Sequence, residues 1–229
     1  MSKPLIFLGS NGAITSFADA ASRQGILVAG IFDKDYFGNT DYIKHVPVIG
    51  TEEDLLDPAK CASLKDQYDF FIATNWNPFF ERDIEKRKYL ISLVETANIQ
   101  CVNLIDPSVF IESDVTLGQG IYIGYGSVIG FESTIEDFVQ IHYHSALGHN
   151  TRIGKNSVVQ RRCGVAGNIG QNVYIGQVTQ LHSSKPITIG DNAIIDQGLF
   201  LSRSVSANER VSLSKDAIRT YRTLVDADF

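Results

Sequence analysis

The sequence predicts two architectures in one chain: an α/β domain on a parallel sheet over residues 1–104, then a parallel β-helix of hexapeptide repeats over residues 105–203, with a tail over residues 204–229. Two observations carry the prediction. Up to about residue 100, short apolar runs alternate with amphipathic stretches, as strands and helices do when they take turns. From Ile105 onward the apolar residues recur every six positions, a period that belongs neither to a helix nor to an ordinary strand.

In the first region PLIFLGS is a buried strand ending in a glycine turn, and residues 12–24 form a helix. ILVAGIFD is the second strand, HVPVIG the third, YDFFIAT the fourth and IQCVNLI the fifth. Between the last two, Ile84, Leu90, Leu93 and Val94 stand among charges over residues 79–97, as on an amphipathic helix.

In the second region the spacing of six runs unbroken through Ile105, Ile111, Leu117, Ile123, Ile129, Ile135, Ile141, Leu147, Ile153, Val159 and Val165. Four places after each of the first ten stands a small or branched residue, from Val109 and Val115 to Ser157 and Cys163. Three such sides close one triangular coil, and coils stack about 4.8 Å apart, like strands in a sheet. Both apolar positions of each hexad point inward, and the turn residues point out.

Composition narrows the function. The chain has 229 residues and a formal net charge of −6, which argues against a general nucleic-acid binder and for a small anion held by local groups. The three cysteines, Cys61, Cys101 and Cys163, are far apart and form no CxxC, so no disulfide framework is expected. The opening MSKPLIFLGS has too short an apolar run for a signal peptide or a membrane span, so a cytoplasmic protein is expected.

The repeat then slips twice. Val165 to Ile169 is four residues, and Leu181 to Ile189 is eight, so the deletion and the insertion cancel. Leu147, Val165 and Leu181 share one column. His149 and Gly167 therefore occupy the same corner of successive coils, below the start of the SSKP insertion at 183–186. Irregular corners are where a repetitive scaffold carries its site; the competing reading is a repeat that drifts without consequence. His142, after the inward Ile141, points out from a flat side. His144 lies at a different corner and reads as an exposed turn residue or a substrate wall, and His182 as structural or a pocket wall. The spacing of His144 and His149 resembles a ligand pair of the γ-class carbonic anhydrases. Catalytic zinc needs three ligands, however, and no histidine lies between His45 and His142, so no metal is expected.

Taken in order, GSNGAI, GIFDKD, YDFFIA, VNLIDPS and SALGHNTRIG followed by CGVAGN resemble the bacterial nucleotide-sugar acetyltransferases of the bacillosamine and perosamine type, with the related sialic-acid O-acetyltransferases, over nearly the whole chain. The resemblance implies a Rossmann-like first domain and a left-handed β-helix. It implies a homotrimer with CoA in the groove between neighbouring β-helices. Acetyl-CoA would be the co-substrate and a nucleotide sugar the other partner, with no metal, nucleic acid or membrane. Carried over residue by residue, the catalytic base falls on His149, with Asn150 beside it. The glycine whose N–H faces the thioester oxygen falls on Gly167. The substrate-binding positions fall on Gly9, Ser10, Asn11 and Gly12, on Asp33 and Lys34, and on Asn75. Asp33 reads equally as a turn residue closing a strand. The implied chemistry is direct attack of a sugar amine on the thioester of acetyl-CoA. The alternatives are a sugar hydroxyl as acceptor, a different acyl-CoA, and a non-catalytic nucleotide-sugar-binding trimer.

The chain departs from the family at several points. Ala13 stands where a histidine often follows the first glycines, and Asn150 where an acid usually orients the base. Val158 replaces a second histidine, and the closing Gly-x-Pro-Ala is missing. NWNPFF, residues 75–80, looks inserted; its aromatics either wall a ligand or pack on the β-helix. In the tail, Ser214 is expected to cap a short helix with Ile218, Tyr221 and Leu224 on one face.

Overall fold

The computed structural model describes residues 3–182 and 186–213. The helix expected after Ser214 lies outside the described residues, as do Ser183, Ser184 and Lys185 of the insertion.

The first region is an α/β domain. Its strands are β1 (Leu5–Leu8), β2 (Val28–Phe32), β3 (Tyr42–Ile43), β4 (Val46–Gly50) and β5 (Asp69–Ile72), in the order β3-β4-β2-β1-β5. All pairings are parallel except β3 with β4. The helices are α1 (Ile14–Arg23), α2 (Pro58–Gln67) and α3 (Glu81–Thr96). The sequence reading missed α2, which buries only Cys61 and carries little periodicity. Its signal was local: Asp57 caps the backbone N–H groups of Ala59 and Lys60, and Pro58 occupies the first turn. The expected fifth strand is reduced to a single bridge between Cys101 and Phe70. Leu104–Ile105 already belongs to the β-helix, so the chain changes architecture inside IQCVNLI.

The β-helix is left-handed, with three faces. The first runs from Leu104–Ile105 to Arg210–Val211, the second from Phe110–Ile111 to Phe200–Leu201, and the third from Thr116–Leu117 to Thr188–Ile189. The second residue of each strand points inward, and these side chains form one continuous apolar core. The coil continues past residue 203: Val205 bridges Ile189, and Val211 pairs with Ile195. After Leu201 the spacing falls to four and then returns to six, the same shortening as after Val165, and this hid the last coil from a search for sixes. No helix among the described residues is long and apolar enough to cross a membrane.

The α/β domain covers the first face. The outward residues there, Leu104, Tyr122, Gln140 and Val158, are buried, and Phe17 meets Tyr122 edge-on with ring centroids 4.9 Å apart. Phe138 pins the two halves together. It sits at a corner with φ +61°, a conformation that costs a bulky residue roughly 1–2 kcal/mol. Its ring is fully buried in the α/β core with Ile6, Phe70 and Leu90, a burial of about 2–3 kcal/mol that offsets the strain.

Candidate active site

Leu147 pairs directly with Val165, which places His149 and Gly167 one coil apart on the corner between the second and third faces. Gly164 pairs with Gln180 and Ile169 with Ile189, so both irregularities of the repeat fall at this corner. His149 is exposed, but its ring is held from two sides. Phe131, eighteen residues earlier and so one coil below, stacks on it at 5.0 Å and 12°. Asn150, at φ +55°, brings its side-chain amide to 3.1 Å from His149 Nδ1. The sequence reading missed Phe131, although its offset of one coil from His149 was available.

Gly167 has φ +118°, and a Cβ there would lie 2.3 Å from the Ile187 carbonyl oxygen, so only glycine fits. Its carbonyl accepts from the Arg152 N–H at 3.0 Å, while its own N–H meets no acceptor among the described residues. The corner thus presents an oriented imidazole and, on the next coil, a backbone donor that meets no acceptor among the described residues. Such a pair can remove a proton and stabilise an adjacent oxyanion.

A second cluster lies at the carboxyl ends of β1, β2 and β5. The turn after β1 is tight: Gly9 has φ +66°, and a Cβ on it would lie 2.6 Å from Leu90 Cδ1. Asn11 donates from its side chain to the Asn75 carbonyl at 2.9 Å, tying the turn after β1 to the loop after β5. Asn11 also accepts from the Ala13 N–H at 3.1 Å, at the start of α1. Gly12 faces open space. The first turn of α1 holds no acid, so nothing there offsets the partial positive charge of the helix end.

Asp33 does not present a free carboxylate. It has no exposed surface, and it accepts from Ser10 Oγ at 2.7 Å, Lys86 Nζ at 2.7 Å and the Asp35 N–H at 3.0 Å. Of the two readings of Asp33, the geometry gives the residue that organises the turn. Lys86 also reaches Asp35, and that bond holds the Asp35 carboxyl below its ordinary value. Burial opposes the charge of Lys86, but its two carboxylate bonds outweigh it and leave the ammonium above its ordinary value. Lys34 is exposed; its backbone N–H donates to the buried Glu52 at 2.7 Å and its ammonium to Glu53 at 3.3 Å. Burial pushes the Glu52 carboxyl up. Lys86 and Glu52 gave no motif in the sequence, because their partners are brought together only by the sheet order.

About nine-tenths of the chain is similar to solved structures that include the following three. PerB from Caulobacter crescentus, in complex with CoA and GDP-perosamine, is 24% identical over 89% of this chain and 91% of that one, with a TM-score of 0.72. WeeI from Acinetobacter baumannii AYE is 21% identical over 92% and 96%, with a TM-score of 0.75. The acetyltransferase domain of PglB from Neisseria gonorrhoeae FA1090, in complex with acetyl coenzyme A, is 18% identical over 92% and 96%, with a TM-score of 0.60. The likeness is one of fold, an α/β domain followed by a β-helix, and it extends over both architectures. No family model and no curated protein match the chain.

Two of the remaining histidines, His142 and His144, fall outside both clusters. His142 points out of its coil, yet it is buried: it is 7% exposed and lies edge-on to Tyr122 at 5.5 Å. Burial, with Arg161 and Arg87 as lesser causes, pushes its imidazole down to about 4. His144 is an exposed turn residue at φ +57°, packed edge-on against Tyr125. His182 is exposed. Among the described residues no three His, Cys, Asp or Glu side chains group as a metal site would require. In NWNPFF, Trp76 packs on the β-helix with Val158 and Tyr174, while Phe79 and Phe80 remain exposed.

Proposed function

We propose that the protein transfers the acetyl group of acetyl-CoA to the amino group of a nucleotide-linked 4-amino-4,6-dideoxy sugar, with His149 as general base. The observation that carries this reading is the irregular corner, where an imidazole clamped by Phe131 and Asn150 lies one coil from a Gly167 N–H with no acceptor among the described residues. The shared fold with proteins solved with CoA, acetyl coenzyme A and GDP-perosamine supports it.

In the proposed reaction the amine nitrogen attacks the thioester carbon. The N–C bond forms, the C–S bond breaks, and CoA leaves as a thiolate. His149 Nε2 takes the proton from the amine and returns it to the thiolate. For Nε2 to hold a lone pair, Nδ1 must carry the hydrogen; the Asn150 amide nitrogen stands 3.1 Å from Nδ1, so the amide turns over in this reading to bring its oxygen there as the acceptor. The Gly167 N–H donates to the developing oxyanion, a contribution of roughly 3 kcal/mol for one such donor. Asn150 orients the ring without adding charge. The turn Gly9–Gly12, with Asn11, Lys34 and Asn75, holds the nucleotide diphosphate at the α1 N-terminus. Ser10 and Asp33 brace that turn.

In this reading a second copy completes the site. The α/β domain covers the first face, and His149 lies on the opposite edge of the same prism, between the second and third faces. A sugar held by one chain is therefore offered to His149 of a neighbour. The second face adjoins that corner, and its outward residues, Phe110, Val128, Ala146, Gly164, Gln180 and Phe200, are mostly apolar and exposed. A closed homotrimer packed through this face supplies the second wall of the site.

The test is a mass-spectrometric transfer screen of acetyl-CoA against UDP-, dTDP- and GDP-linked amino sugars, with wild type and His149→Ala. An acetylated amine made by the wild type, and slower by about 10²–10⁴-fold in the variant, is the expected result. Equal turnover by both proteins removes His149 as the base. Nucleotide-sugar binding without any transfer makes the protein a binder.

A further inference from the structure

Arg87 on α3 has no exposed surface and is among the largest fully buried side chains in the molecule. Among the described residues no carboxylate pairs with it. Its guanidinium meets three neutral acceptors instead: Asn156 Oδ1 from Nε at 2.7 Å, the Thr74 carbonyl from Nη1 at 2.6 Å, and the Phe138 carbonyl from Nη2 at 2.6 Å. Thr74 ends the run that β5 begins; Phe138 and Asn156 lie on successive coils at one corner of the β-helix. Asn156 is itself held by its side-chain bond to Asn172 at 2.9 Å. Gln140, from the first face, donates to the same Thr74 carbonyl at 2.9 Å.

Cohesion does not explain this arrangement. Phe138, Trp76, Tyr174 and Tyr122 already supply apolar contact across the seam. A buried cation without a counter-ion adds little net cohesion, because its desolvation opposes its hydrogen bonds. A planar fork with three acceptors adds direction instead: it sets where the Thr74 backbone lies relative to the coil. The next residue, Asn75, takes the Asn11 side chain on its carbonyl, so both loops of the proposed nucleotide site hang from this anchor.

We infer that Arg87 is a positioning residue that registers the nucleotide-binding loops against the β-helix, so that the acceptor sugar is delivered at the right distance for transfer. This rests on the proposed function. Arg87 touches no reacting atom. It acts through Thr74 and Asn75, and a misplacement of about 1 Å in a transferring group is enough to cost about 10²-fold in rate.

The experiment compares wild type, Arg87→Lys and Gln140→Met in steady-state kinetics. The acceptor is the amino sugar nucleotide identified in the screen, and binding of the corresponding nucleoside diphosphate is measured alone by calorimetry. Lysine keeps the charge but not the three-way fork. For folded Arg87→Lys the expected result is a fall in kcat of about tenfold or more, with the KM for acetyl-CoA unchanged and the diphosphate Kd within about threefold of wild type. Gln140→Met, which removes the second bond to Thr74, is expected to move kcat the same way by a smaller factor. A loss of thermal stability with kcat unchanged in the folded variants makes Arg87 structural and overturns the inference. Should Arg87→Lys not fold, Gln140→Met decides alone: a lower kcat at constant acetyl-CoA KM upholds the inference and an unchanged kcat overturns it. Wild type that neither binds a nucleoside diphosphate nor acetylates any acceptor refutes the parent reading, and this inference falls with it.

Discussion

His142 makes the fold sensitive to acid. Its side chain is buried against Tyr122, and its Nε2 has no hydrogen-bond partner among the described residues. An ordinary histidine titrates near 6.5, and burial holds this one at about 4. The folded state thus keeps the ring neutral where the unfolded chain would protonate it. Stability is complete above about pH 6.5, falls as the pH drops through that value, and reaches its full loss near pH 4. At 1.36 kcal/mol per pH unit, the gap between 6.5 and about 4 corresponds to about 3 kcal/mol in all. About 2 kcal/mol of this is gone by about pH 5. The assay is urea unfolding of wild type and His142→Gln at about pH 7.5 and about pH 5, at one protein concentration, so that other titrating groups cancel between the two proteins. The wild type is expected to lose about 2 kcal/mol more than the variant over that interval. Equal losses would refute the reasoning, since the ring would then be protonated in the folded state at no cost.

Four further outcomes follow from the site and its supports. Gly167→Ala forces a Cβ into the Ile187 carbonyl and displaces the donor N–H, so transfer is expected to fall by at least about 10²-fold in a rate assay while circular dichroism still shows the β-helix. Asn150→Asp places a charge beside the imidazole and is expected to raise kcat at neutral pH several-fold; a fall would show that the amide has another role. Phe200→Glu alters a residue that is 68% exposed in the single chain, so folding should survive while light scattering reports monomers and transfer stops. Phe138→Ala empties a ring site in the α/β core and is expected to cost about 3–5 kcal/mol in urea unfolding, a value near zero excluding its role as a pin.

The β-helix was legible because its signal is local and repeated. Inward residues every six positions place Leu147 over Val165 by counting alone, and the pairing agrees. Counting also put His149 and Gly167 on one corner, and both slips of the repeat fall there. The same method failed where a slip came near the end, so that Val205 and Val211 were read as tail. In the α/β domain, strands with continuous apolar runs were found. α2 was not, because only Cys61 on it is buried and most of its length faces water.

What the sequence determined by itself, then, is periodicity: which residues point inward, which share a column, and where the pattern breaks. Partnerships between distant segments were decided only by the tertiary structure. The carboxylate of Asp33 is spent on Ser10 and Lys86, twenty-three and fifty-three residues away. His142 is outward by count yet buried, and Arg87 finds its acceptors on three separate segments. The physical reason is that stacking energy acts between neighbouring coils at a fixed offset and so leaves a period in the chain. Docking of one domain on another satisfies individual polar groups across long and irregular separations, and leaves none.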